Sequence, residues 1–150
     1  MTPLLRRPSG PRRASLTVDA RPEDLPQVRT FIEGELRATR LTERARREVR
    51  LGVDEACANI IEHAYGPDRP GQVTLTCCVA SQGDLVITIH DHGRPFDPTD
   101  VPDPPIGAEL EDLPEGGLGL YFMRKLMDQV TFRFDKEQGN VLTMVKRRPK

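Results

Sequence analysis

The chain has 150 residues and a formal charge of −1, and 37% of its residues are apolar while 30% are charged. This length suits one domain with one hydrophobic core, and the composition is typical of a soluble globular protein. The balanced charge excludes a polycationic or an acidic-tail protein. Because no apolar run approaches the roughly 18 residues of a membrane helix, and no secretory stretch opens the chain, we expect a cytoplasmic protein without a membrane partner.

The three cysteines, Cys57, Cys77 and Cys78, are an odd number, and two of them are adjacent. This pattern predicts neither a disulfide framework nor a CxxC metal site. We expect them to be small buried hydrophobic residues in a reducing compartment.

Residues 1–14 contain four arginines, three prolines and no acid, which predicts a disordered basic arm before a domain over residues 15–150. One function for such an arm is a contact with RNA polymerase or nucleic acid. The alternative, which we favour, is an extension without a role.

The first part of the domain is predicted to be a short edge strand over residues 15–19 followed by two helices. The second helix should begin near Thr42 and end near Tyr65, where a glycine and a proline follow. Apolar residues at helical spacing, after a Pro-Glu-Asp start, predict the first helix: Leu25, Val28, Ile32 and Leu36.

The periodicity then changes from helical to alternating. Residues 73–79 and 85–89 predict two strands of a hairpin, joined by a turn over residues 81–84. Residues 97–115 hold seven acids, five prolines and no lysine or arginine, so they predict a long loop rather than a strand or helix. A loop of this length in a small domain is often a lid or a binding loop.

A third helix is predicted to start at the glycines of residues 116–119, before two last strands over 130–134 and 140–146. Gly139 and Asn140 are expected to form the turn between these strands. Hairpins on both sides of a helix predict a two-layer α/β sandwich, with a mixed or antiparallel sheet and helices on one face. Strict strand–helix alternation, which a doubly wound fold requires, is absent from the sequence.

The second predicted helix carries Glu55 and Asn59, which are four residues apart and therefore share one helix face. The asparagine brings a neutral oxygen that can bind a hard cation, and the glutamate could accept a proton from a hydroxyl or water. The alternative is an ordinary solvated helix face.

Two further motifs follow along the chain. Asp91 ends a strand and could accept hydrogen bonds from an exocyclic amine, while Gly93 removes a side chain that would block a flat ligand. Gly117 and Gly119 open a helix, so free backbone N–H groups and the helix dipole suit a phosphate there. Each motif alone is weak, since the first could be a simple turn and the second a flexible hinge.

In this order, the three motifs resemble the N, G1 and G2 boxes of the superfamily that includes gyrase, the MutL proteins and the histidine kinases, over residues 15–147. Within it the chain is most similar to the anti-sigma factor serine/threonine kinases. The stretches that carry this similarity are residues 59–64, 91–97 and 139–146. The resemblance implies a Bergerat-type ATP-binding fold.

The resemblance also implies roles for individual residues. Asn59 would bind Mg²⁺ and Glu55 would be the general base of catalysis. Asp91 would bind the adenine amine with Gly93 close to the base, and Thr143 in a late strand would support the aspartate. The phosphates would lie against the start of the third helix, at Gly117, Leu118 and Gly119, under an ATP lid formed by residues 97–115.

The implied function is transfer of the ATP γ-phosphoryl group to a serine or threonine of an anti-anti-sigma (STAS-domain) protein, together with sequestration of a sigma factor, by a homodimer. Nucleic-acid binding is not expected. Two departures from the family pattern are Pro95, where the wider superfamily has a glycine, and the lack of a basic residue in the acidic lid. The second leaves Arg124 and Lys125 as candidate phosphate contacts.

Two alternatives remain open for the function. One is a nucleotide-loaded binding module that regulates a partner without significant phosphotransfer, which the acidic lid favours. The other is the detached ATP domain of a histidine kinase, although the chain has no room for a separate pair of dimerisation helices.

Overall fold

The computed structural model describes residues 12–65, 71–95 and 117–148. In chain order, their elements are β1 (Arg12–Asp19), a 3₁₀ turn (Pro22–Asp24), α1 (Leu25–Arg37), α2 (Glu43–Asn59), a π-helical turn (Ile60–Tyr65), β2 (Gln72–Val79), β3 (Leu85–Asp91), α3 (Gly117–Leu126), β4 (Gln129–Asp135) and β5 (Gly139–Lys146).

The strands form one five-stranded sheet in the order β1-β2-β3-β5-β4. Every neighbouring pair is antiparallel. The predicted two-layer sandwich is therefore confirmed, with an antiparallel rather than a mixed sheet. None of the helices in these described ranges is long and apolar enough to cross a membrane.

The core lies between the helices and one face of the sheet. On β3, Leu85, Ile87 and Ile89 are buried while the residues between them are only partly buried, as the two-residue period of a strand requires. The helices contribute their predicted apolar stripes, among them Ile32 of α1 and Val49 of α2. Burial of each such aliphatic side chain stabilises the fold by roughly 1.5–3 kcal/mol.

The cysteines belong to this packing. Cys57 and Cys77 are buried and Cys78 is partly buried, and all three are free thiols. Burial raises the pKa of the Cys57 and Cys77 thiols to about 12. Cys57 and Cys77 therefore match the predicted small buried residues, whereas Cys78 does so only in part.

The start of α2 agrees with the sequence prediction. Thr42 precedes the helix with extended backbone angles, and its hydroxyl oxygen accepts a hydrogen bond from the Ala45 N–H at 3.1 Å. This side-chain cap satisfies one of the free N–H groups in the first turn. At the other end, regular α-helix stops at Asn59 and continues as the π-helical turn to Tyr65.

The boundary between arm and domain was predicted three residues too late, because β1 begins at Arg12. The Arg12 guanidinium donates to both carboxylate oxygens of the buried Glu35 of α1, at 3.1 and 3.2 Å. Burying the Glu35 carboxylate would be costly without such partners, and this ion pair stabilises β1 as far as Arg12. The rest of the predicted arm, and the predicted loop over residues 97–115, lie outside the described residues.

The turn between the last two strands was also misplaced. It lies at residues 136–138, and Gly139 already pairs with Asp135 as the first residue of β5. Gly139 has a φ of +85°, and a Cβ there would lie 2.4 Å from the Asp91 carbonyl oxygen. Glycine is required at this position because β5 and the end of β3 approach closely.

Candidate functional site

A cleft of about 170 Å³ opens beside the C-terminal end of α2, where β3 ends and β5 begins. Its apolar lining comes from Ile60, Met123 and Leu142, among other residues. Polar side chains reach it from three separate segments: Asn59, Asp91 and Asn140. An apolar pocket with a few convergent polar groups is the usual form of a small-molecule site.

Asp91 is the buried acid of this cleft, with only 4% of its surface exposed. The alternation of β3 places it on the same face as Ile89, at the point where the strand ends. Its Oδ1 atom accepts hydrogen bonds from the Gly93 N–H and from Asn140 Nδ2, each at 2.9 Å. One carboxylate oxygen is thus fixed by the protein, which orients the whole side chain.

The predicted support of Asp91 by Thr143 is wrong. Thr143 lies opposite Thr88 in the β3–β5 register, so it is on the face of the sheet away from Asp91. The residue opposite Asp91 is Asn140, and its amide nitrogen reaches the carboxylate. The predicted turn at Gly139 and Asn140 concealed this pairing, because both residues belong to the start of β5.

Asn140 also holds the backbone that follows Asp91. Its Nδ2 atom lies 3.2 Å from the Gly93 carbonyl oxygen and 3.1 Å from that of Arg94. One side chain therefore ties β5 to the carboxylate and to the loop beyond it, and sequence reasoning did not assign it this function.

Gly93 has a packing role that the sequence did not indicate. A Cβ at this position would lie 2.5 Å from the carbonyl oxygen of Ala64 and 2.6 Å from its Cβ. The next residue, Arg94, donates its backbone N–H to the same carbonyl at 2.8 Å. The glycine thus allows the loop after β3 to contact the end of the π-helical turn, and it is not among the described residues that line the cleft.

Tyr65 connects three segments around the site, and sequence reasoning missed it. Its hydroxyl donates to the Gln72 carbonyl oxygen at 2.8 Å and accepts from the His92 N–H at 2.7 Å. Its ring packs on Gly71, where a Cβ would lie 2.1 Å from a ring carbon. Burial is the main cause that raises the pKa of Tyr65. The partners are far apart in sequence, so no local pattern predicts these contacts.

Helix α2 supplies the other wall. Asn59 is its last regular residue and lines the cleft, as do His63 and Ala64 of the π-helical turn. Single π-helical turns are often found at functional sites. Glu55 lies one turn before Asn59, is partly buried, and is not among the described residues of the lining. The structure therefore brings Asn59 and Asp91 into one cleft, with Glu55 one turn further along the same helix.

Helix α3 begins at Gly117, so the Gly-Leu-Gly segment is the first turn of a helix as predicted. Met123 of the same helix is buried and lines the cleft. The predicted phosphate contacts Arg124 and Lys125 are exposed and do not line the described cleft, and Lys125 Nζ lies 5.6 Å from the centre of the Tyr121 ring. Two other cations, Arg94 and Arg133, are found in the lining.

Comparison with known proteins agrees with this geometry. The model of the histidine kinase-like ATPase domain family matches residues 18–146. The chain belongs to this family. Its relatives include the serine-protein kinase RsbW of Bacillus subtilis, at 32% identity over 87% of this chain and 82% of that protein. The serine/threonine-protein kinase BtrW of Bordetella bronchiseptica is 34% identical over 70% of this chain and 72% of that protein.

A further relative, the serine-protein kinase RsbW of Bacillus licheniformis, is 35% identical over 66% of this chain, and the match spans 62% of that protein. Among solved structures, the RsbU and RsbW domains of a Mycobacterium tuberculosis protein superpose with a TM-score of 0.65 at 18% identity. That match covers 92% of this chain and 33% of the other, and it concerns the fold alone. The family membership is the one that the three motifs indicated.

Proposed function

We propose that the protein is an ATP-dependent serine/threonine kinase of a partner-switching module, which phosphorylates an anti-anti-sigma STAS-domain protein and sequesters a sigma factor. The observation that carries the proposal is the meeting of Asn59 and Asp91 in one apolar cleft of a histidine kinase-like ATPase domain. The names of its relatives, serine-protein kinases, supply the reaction class.

The cleft fits an adenine base. Oδ1 of Asp91 is held by Gly93 and Asn140, and no residue in the described ranges bonds its Oδ2 atom, which would accept a hydrogen bond from the exocyclic amine. Apolar contacts to the base would come from Ile60 and Leu142, which line the cleft. A buried polar acceptor among apolar walls selects a ligand with a matching donor, since an unmatched ligand leaves the acceptor unpaired.

The rest of ATP would extend along α2 towards the start of α3. The first N–H groups of α3, at Gly117, Leu118 and Gly119, have no partner within the helix and suit the phosphates. The Asn59 side-chain oxygen fits Mg²⁺, which in phosphoryl-transfer sites takes few protein ligands and completes its shell with phosphate oxygens and water. When bound, the metal would neutralise the phosphate charge. Glu55, one turn from Asn59, would accept the proton of the incoming serine hydroxyl.

The test is phosphotransfer to each STAS-domain protein of the source genome, followed by mass spectrometry of the product. We expect Glu55→Gln to lower the transfer rate by about 10²-fold or more, which is typical of a lost general base, with ATP affinity retained. Asp91→Asn should instead weaken ATP binding at least about tenfold, or 1.4 kcal/mol. Glu137→Gln, in the exposed turn between β4 and β5, is the matched control and should change neither.

A protein that binds ATP but phosphorylates none of these partners would contradict the kinase proposal. It would favour the second candidate, a nucleotide-loaded binding module that regulates its partner without significant phosphotransfer. The observation behind that candidate is the acidic composition of residues 97–115, which include no lysine or arginine. The two functions differ in one result, because regulation by a binding module would survive Glu55→Gln.

The proposal includes a homodimer in the cytoplasm. The sheet face opposite the helices is a surface through which two copies could meet, and it carries paired hydroxyl side chains such as Thr17 and Thr74, 2.9 Å apart. Sedimentation equilibrium with and without ATP tests the dimer. A single monomeric species at all concentrations would contradict it.

A further inference from the structure

The face of α2 that points away from the core carries a row of side chains that we call the outer stripe: Arg44, Arg47, Leu51 and Ala58. At 100° per residue these positions lie opposite the buried residues Val49 and Val53. Leu51 is 54% exposed, and only Phe134 is a comparably exposed large hydrophobic residue in the described parts of the chain. More than half of this leucine is therefore not buried by the protein's own fold.

Of the three acids within four residues of Leu51, Glu48 and Asp54 are already paired with cations, and the third is the proposed general base Glu55. Glu48 binds Lys146 at 2.9 Å and Arg44 at 3.3 Å. On the other side, Asp54 binds Arg29 at 3.1 Å. Arg47, one turn before Leu51, is exposed and forms no ion pair within the ranges that the structure describes. The outer stripe is therefore an apolar residue beside an uncompensated cation.

The outer stripe is continuous with the proposed catalytic residue. Leu51 and Glu55 are four residues apart on one helix, so their Cβ atoms are about 5–6 Å apart. A serine on a folded protein cannot reach Glu55 without bringing its neighbouring surface over the adjacent turn of α2. In that position, the substrate would cover Leu51 and face Arg47.

We propose that the outer stripe is the docking surface for the protein substrate, with an apolar side chain of the substrate on Leu51 and an acidic group opposite Arg47. This inference rests on the proposed kinase function. A few central residues carry most of the binding energy of protein interfaces, and arginine is common among them. The charged rim mainly increases the association rate and specificity.

The experiment is steady-state phosphorylation of the STAS-domain protein that the wild-type chain modifies. Leu51→Ala removes the apolar contact while keeping a residue with the highest helix propensity, and Arg47→Glu reverses the charge. We expect each to raise the KM for the STAS-domain protein by about tenfold, which corresponds to 1.4 kcal/mol. The kcat and the ATP affinity should stay unchanged, because neither residue lines the cleft.

Lys136→Glu, an equal charge reversal in the exposed turn between β4 and β5, is the control and should leave the KM unchanged. An unchanged KM in both stripe variants would overturn the docking surface while the kinase function stands. Two other results would also overturn it. If the stripe variants change only self-association, the stripe contacts a second copy of the chain; if they change only salt-sensitive RNA binding, it contacts RNA. If the wild-type chain phosphorylates no STAS-domain protein, the proposed function fails and this inference fails with it.

Discussion

Replacing Asn140 with alanine should loosen the acid end of the cleft. The Asn140 amide nitrogen is the only side-chain donor to Asp91 among the described residues, and it also contacts the Gly93 and Arg94 carbonyl oxygens. Alanine keeps the strand but leaves a buried carboxylate with the Gly93 N–H alone. The carbonyl groups, by contrast, lie in a partly exposed loop where water can replace the lost donor.

The magnitude follows from these contacts. A hydrogen bond to a charged group contributes about 1.5–3 kcal/mol, and an unpaired buried partner adds to the loss. The contacts to the Gly93 and Arg94 carbonyl oxygens contribute well under about 1 kcal/mol each, because water can replace them in that partly exposed loop. We therefore expect Asn140→Ala to lower the free energy of unfolding by about 2–3 kcal/mol. ATP binding should weaken by about one to two factors of ten, since each factor is 1.4 kcal/mol.

Urea denaturation and calorimetric titration with ATP, each on the purified chain, measure the two effects. Thr143→Ala is the matched control because it changes the same strand on the opposite face, against Thr88. It should cost no more than the ~0.2–1 kcal/mol of a cross-strand pair and leave ATP affinity intact. The reverse pattern, with ATP affinity lost in Thr143→Ala and kept in Asn140→Ala, would refute the assignment of Asn140.

Three further changes test other contacts, two of them around the cleft and one between α1 and α2. Tyr65→Phe removes two hydrogen bonds to backbone groups and should lower the unfolding free energy by about 1–3 kcal/mol in urea denaturation; no change would contradict the bridging role. Gly93→Ala forces a Cβ to 2.5 Å from the Ala64 carbonyl oxygen and should cost at least about 1–3 kcal/mol, read as a lower Tm. The hydrogen bond from Arg50 lowers the pKa of Glu33. The contribution of this pair to folding stability is therefore complete above the ordinary glutamate pKa of 4.5, and it is lost as the pH falls through the lowered pKa. The stability difference between wild type and Arg50→Met should therefore shrink below pH 4.5, and a difference that grows on acidification would refute this sign.

Much of the fold could be predicted because local periodicity and burial agree. Val49 and Val53 repeat at helical spacing and are buried, and Ile87 and Ile89 alternate in β3 as predicted. The last turn was misplaced because Gly139 has the positive φ that sequence patterns associate with a turn, although it already belongs to β5. A glycine is required at position 139 because the end of β3 lies so close to it. This is a tertiary contact, which a local sequence pattern does not reveal.

The candidate site was predictable to the extent that each motif sits on one element. Asn59 on α2 and Asp91 at the end of β3 reach one cleft because the fold brings those two ends together. The error at Thr143 came from a role carried over from the family resemblance, which does not fix the face of the sheet on which a side chain lies. The contacts of Tyr65 depend on backbone groups of β2 and of the residue after β3, so only the folded chain reveals them.

The continuous helical stretch from α2 through the π-helical turn gives the proposed functions a physical order. Leu51 faces solvent near its middle, Glu55 and Asn59 follow, and Tyr65 ends it against the loop after β3. Leu51 and Tyr65 are 14 residues apart, or about 20 Å at 1.5 Å per residue. Sites this far apart without shared partners usually act additively, within about 0.5 kcal/mol.

The double variant Leu51→Ala with Tyr65→Phe should therefore combine the substrate KM of the first with the stability and ATP affinity of the second. The measurement is a double-mutant cycle on the KM for the STAS-domain protein and on the dissociation constant for ATP. A coupling energy well above 0.5 kcal/mol in either constant would mean that the two ends of the helix do not act separately. The docking surface and the nucleotide cleft would then be coupled. A shift of the whole helix would connect them, because Leu51 is exposed near its middle and the Tyr65 hydroxyl is hydrogen-bonded at its end.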